Sequence, residues 1–188
     1  SANGAAVIGL DVLLDRRYPE LSALDNGDER LRSAIAQAGN VVLVSQTKAD
    51  GEDVRVVPPD PYFAQVAAAV GTADMVTPYE TVRDARLVAQ TEAGPVPGFA
   101  LALYAVMNGL DADSLARAVA AGSTEQLPGL PPVFAQGAEG RVDVPILFQG
   151  PPSRFGREQG TFLVYESRNV ALRGNVFGFQ PNEALQAW

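Results

Sequence analysis

Asp28-Glu-Arg-Leu-Arg-Ser-Ala-Ile-Ala-Gln-Ala-Gly-Asn-Val-Val-Leu-Val-Ser45 is the stretch that decides the fold. Leu31, Ala34, Ile35 and Ala38 stand three and four apart, acids fill the first turn and Gly39 follows, so the first part predicts a helix. Asn40 to Ser45 then gives a β-branched run that predicts a strand. Upstream, Ala5-Ala-Val-Ile-Gly-Leu10 is continuously apolar and stops at Asp11, which suits a central strand buried on both faces. Strand, helix and strand with short joins predict an α/β domain, a mixed sheet covered by helices.

Working outward, residues 15–28 are rich in turn formers and read as loop, as do residues 46–61, with a short extended piece at Val54–Val57. Phe63, Val66, Ala67 and Val70 form the apolar stripe of a second helix ended by Gly71, and Ala73–Val76 and Ala85–Gln90 read as two strands around a polar connection. Gly98 to Met107 is apolar nearly all round and predicts a helix packed deep. After Asn108-Gly109, Asp111 or Asp113 caps a further helix that ends at Gly122. Residues 123–141 are Gly- and Pro-rich and read as a surface excursion; Val142–Gln149 and Leu172–Gly178 read as strands, with a short apolar element at Thr161–Tyr165 between them.

The bulk properties narrow the chemistry. The 188 residues are 47% hydrophobic, enough for one sizeable core, so residues 1–188 are read as a single domain. A net charge of −8 excludes a nucleic-acid partner, which needs a basic face to displace its counterions. With neither cysteine nor histidine, disulfides, thiolate catalysis and the commonest general base and metal ligand are all absent, so no metal and no cofactor is expected. No run of eighteen apolar residues occurs.

Ser45-Gln-Thr-Lys48 matches S-x-x-K, but its companion elements are missing and it reads as a solvated loop. Asp11 follows the first strand, at the end where open sheets with parallel strands place ligand contacts, and Asp15, Arg16 and Arg17 follow within reach. A turn cap at Asp11 with the other charges solvated is the plainer reading of the same residues, with ligand contact or an ion pair between elements as the alternatives. Arg83 and Arg86 bring two guanidinium forks suited to carboxylate or phosphate into an acidic chain. If they converge with Asp11, the ligand is a small anion; otherwise they mark a surface turn.

Several segments, in order, resemble the type-two CHASE domain, a sensor module of bacterial receptors. Ala6-Val-Ile-Gly-Leu-Asp-Val-Leu-Leu14 is similar to its strand and following turn, and Asp28–Ser45 to its helix, Ala-Gly-Asn stop and Val-rich strand. Val70–Val76 with Arg83–Val88, then Pro97-Gly-Phe-Ala-Leu-Ala-Leu103, resemble a strand–turn–strand segment and a helix start. Ile146-Leu-Phe-Gln-Gly-Pro-Pro152 with Phe155 resembles the Tyr-x-Gly-Pro-Pro-Gly-x-Phe signature, which adds Pro152 and Arg154 to the candidate ligand contacts. Leu172-Arg-Gly-Asn-Val resembles the closing strand. Where the family shows Asp-Gly-Val-x-Arg this chain has Glu80-Thr-Val-Arg-Asp84.

The resemblance implies a position outside the bacterial cytoplasmic membrane, with flanking membrane helices and a cytoplasmic cyclase, diguanylate cyclase or protein kinase as output. It also implies a chain trimmed on its N-terminal side. The domain itself is then a non-catalytic sensor of an unidentified small ligand, and a homodimer is expected because such coupling commonly runs through symmetric pairs. Two rival readings stay open: an envelope hydrolase using paired carboxylates, and a structural protein-interaction domain with an apolar patch and no concave site.

Overall fold

Val41-Val-Leu-Val-Ser45 is buried at every position, and this run is the axis of the fold. The structure, a computed structural model, describes residues 4–17, 27–50, 53–73, 75–76, 84–123, 135–136 and 142–145. From Ala6 onward the described residues belong to one compact unit. In chain order they form β1 (Ile8–Leu10), α1 (Gly27–Ala38), β2 (Val41–Asp50), β3 (Asp53–Val57), α2 (Pro61–Ala64), β4 (Ala69–Thr72) and β5 (Met75–Val76). There follow β6 (Asp84–Thr91), β7 (Gly94–Pro97), α3 (Phe99–Met107), α4 (Ala112–Ala120), β8 (Ala135–Gln136) and β9 (Val142–Pro145).

Two sheets result, and the class is the α/β one that the sequence indicates. In the first, β2 pairs in parallel with β1, Ile8 opposite Val41, and with β4, Val42 opposite Ala69; its outer half pairs antiparallel with β3, Lys48 opposite Arg55. The second is antiparallel, in the order β5-β6-β9-β8 with β7 on β6. A parallel bridge between Thr72 and Gly98 joins them.

Alternation along β2 sends neighbouring side chains into different cores. Val42 joins Val88, Leu101, Leu115 and Val142 under α3 and α4, whereas Val41 and Leu43 join Ile35 and Phe63 under α1 and α2. Each buried Leu or Phe contributes about 1.5–3 kcal/mol relative to exposure. Ends are set locally: Gly39 leaves α1 at φ 68, which only glycine adopts freely, and Asp60 Oδ1 accepts the Tyr62 amide at 2.8 Å to start α2 at Pro61. Asp111 caps α4 in the same way.

Three expectations are corrected. The central strand is β2, not β1. Among the described residues β1 pairs with β2 alone, and Ile8 is 36% exposed, because an apolar run records avidity for burial but not how many neighbours a strand finds. The second helix stops at Ala64, and Val70-Gly71, expected at its end, lie in β4. The 63–70 spacing fits a helix, but pairing with β2 wins, and Gly71 permits it: a Cβ there would stand 2.7 Å from the Phe99 Cα of α3. The extended piece expected at Val54–Val57 is β3, but residues 46–50 are not loop: they are the outer half of β2, and residues 51–52 lie outside the described set. Within the 123–141 excursion, Ala135–Gln136 pairs with β9. The apolar element at Thr161–Tyr165 and the strand expected at Leu172–Gly178 lie outside the described residues, as does the end of the strand expected at Val142–Gln149.

Candidate functional site

Parallel pairing with β2 puts the carboxyl ends of β1, at Leu10, and of β4, at Thr72, on one side of the first sheet, level with Leu43 and Ser45 in the middle of β2. The chain leaves β1 there. Asp11, Val12, Asp15, Arg16 and Arg17 are exposed along this exit, and the Leu14 carbonyl accepts the Asp60 amide at 2.6 Å, pinning it to the entry of α2.

Just past the pin, Tyr62 gathers three segments. The Arg17 guanidinium carbon lies 4.8 Å and that of Arg32 5.0 Å from the centre of the Tyr62 ring, within cation–π range. Arg32 Nε also donates to the Tyr62 carbonyl at 3.0 Å, and the Tyr62 hydroxyl donates to the Glu29 carboxylate in the first turn of α1. Phe63 meets the Tyr62 ring edge-on at 5.3 Å and carries the cluster into the core beneath α1. The hydrogen bond to Glu29 is the main reason the phenol titrates above its ordinary range; desolvation and the charge of Glu29 add to it, while Arg32 and Arg17 pull the other way.

The sequence-predicted residues separate into groups. Asp11, Asp15 and Arg16 share the exit from β1, whereas Arg86 sits on β6 in the second sheet. There its Nε lies 3.0 Å and a terminal nitrogen 3.4 Å from the two Asp143 oxygens of β9, a two-pronged cross-strand pair with the Arg86 side chain 18% exposed. Arg83, Pro152 and Arg154 lie outside the described residues. Ser45 is 2% exposed inside β2 and not in a loop; Lys48, three residues on along a strand, points to the opposite face and is solvent-exposed, so the S-x-x-K spacing brings no amine to the hydroxyl.

Tyr62, Arg32 and Glu29 were not readable as a site. Pro58-Pro-Asp-Pro61 does announce a capped helix start, but no local pattern links Tyr62 to Glu29, 33 residues away. Among the described residues no group of three acids could hold a metal ion, and no helix is long and apolar enough to cross a membrane.

No curated protein and no solved structure matches the chain. Residues 1–174 match the family described as CHASE2 domain, and the chain belongs to that family. CHASE2 is a sensory extracellular domain family of signalling receptors.

Proposed function

Starting from membership of the CHASE2 family, we propose that this chain is the extracytoplasmic input of a bacterial transmembrane receptor, binding a small ligand to regulate an attached adenylate cyclase, diguanylate cyclase or protein kinase. The family match over residues 1–174 carries this reading. The exposed exit from β1 supports it, since crevices beyond the carboxyl ends of parallel strands are where α/β sheets take ligands.

Asp11, Asp15 and Arg16 are the proposed contacts on that exit, with Arg83 added for its guanidinium fork and Pro152 and Arg154 from the signature-like segment. Arg86 is left out, because its guanidinium is held by Asp143. The domain performs no chemistry of its own; the ligand prefers one of two arrangements, and that preference biases the output. The receptor works as a symmetric pair.

A thermal-shift screen of the purified chain against anions, sugars, nucleotides and peptides tests the proposal. One class is expected to raise the melting temperature by mass action, and Asp11→Ala or Arg16→Ala is expected to abolish the rise without altering the ligand-free value. Turnover of an ester, phosphate or glycoside that a single carboxylate substitution abolishes would overturn it.

A further inference from the structure

A guanidinium lying over an aromatic face spends none of its five N–H donors on that contact. Arg17 is held in this way; among the described residues its guanidinium has no hydrogen-bond acceptor, and that of Arg32 commits only Nε, to the Tyr62 carbonyl. Both carbons lie within about 5 Å of one ring centre, so two charged forks stand beside a single side chain. The ring and the Glu29 hydrogen bond hold this arrangement before any ligand arrives, which lowers the ordering cost of binding.

The geometry points to a binding site for a small dianion, of the phosphate-ester or dicarboxylate kind, on Arg17 and Arg32 around Tyr62. Two planar forks match two acidic oxygens on each of two sides of such a ligand, and a monoanion satisfies only one of them. Glu29, bonded to the Tyr62 hydroxyl at the edge of the ring, repels an incoming anion, so the two guanidinium charges must outweigh it. The inference rests on the ligand-sensing reading above and names the chemistry of what is sensed. It places recognition on residues from three segments: the exit of β1, α1 and the start of α2.

Titration calorimetry of the full chain with inorganic phosphate and with succinate, at matched ionic strength, is the test. Binding of one of the two is expected, weakened about tenfold or more in Arg17→Gln and in Arg32→Gln. Arg17→Lys, which keeps the charge and loses the fork, should fall between; Tyr62→Phe should bind and Tyr62→Leu should not. The site is overturned if neither dianion binds, or if the glutamine variants bind like the parent chain. Binding of a sugar, nucleoside or peptide in place of the dianions would overturn this site while leaving the sensor reading intact; a chain that binds nothing would remove both.

Discussion

Gly98 shows how one missing side chain fixes an interface. Its φ of −67 is open to any residue, so space and not backbone freedom decides the position. A Cβ there would stand 2.0 Å from the Arg86 carbonyl oxygen and 3.1 Å from that of Leu87, while the Gly98 amide donates to Leu87 at 2.7 Å. Gly98→Ala is therefore expected to cost about 3 kcal/mol, at the upper end for overpacking, read as a lower urea midpoint; an unchanged midpoint would show that α3 does not start against β6. At this scale the sequence was partly legible. Gly98 was readable as a helix start, but the carbonyl it must clear belongs to another strand. That Asp11, Asp15 and Arg16 follow a strand end was readable because a strand end is a local event, whereas Tyr62 becomes a hub only through Arg17, Glu29 and Arg32, which reach it through the folded chain.

Elements announced by their own caps were the ones legible in advance. Asp28, Glu29 and Gly39 bound α1, and Asp111 starts α4 by accepting the Ser114 amide at 2.8 Å. The hydrogen bonds from Ser114, side chain first and then backbone, hold the Asp111 carboxyl below its usual range. A depressed folded-state value means that this contribution is present above the unfolded pKa and is lost as pH falls through the folded one, so the window lies below about pH 4. Asp111→Asn, which keeps an acceptor, is expected to flatten that part of a melting-temperature profile, and Asp111→Ala to lower the melting temperature at neutral pH. A profile of Asp111→Asn as steep as that of the parent would assign the acid limb elsewhere. The 63–70 stretch failed as a sequence-predicted helix for the opposite reason: no stop separates Ala64 from Ala69, and the contest was settled by hydrogen bonds to β2 that no local spacing records.

Across the whole unit, β2 divides the interior into two apolar clusters, with Leu43 in one and Leu115 in the other. Leu43→Ala and Leu115→Ala should each cost about 2–5 kcal/mol, since both side chains are almost fully enclosed. Because they share no cluster, the double variant is expected to lose the sum to within about 0.5 kcal/mol in urea unfolding. A large departure from additivity would mean that the cores communicate through the strand between them. The fold class was legible because strand–helix–strand order follows from periodicity alone. The order of strands was not, since the runs Ala5–Leu10 and Val41–Val44 are both continuously apolar and only pairing distinguishes edge from centre.

The ten residues of β2, at about 3.3 Å each, make a stiff rod of about 33 Å. Its inner half is gripped by β1 and β4, and its outer half pairs with β3. The rod is therefore a lever with its fulcrum near Ser45: a sideways push on the Lys48 end arrives at Val41 and Leu43 as torque on the packing beneath α1, so a weak force applied far out is felt at the strand's root.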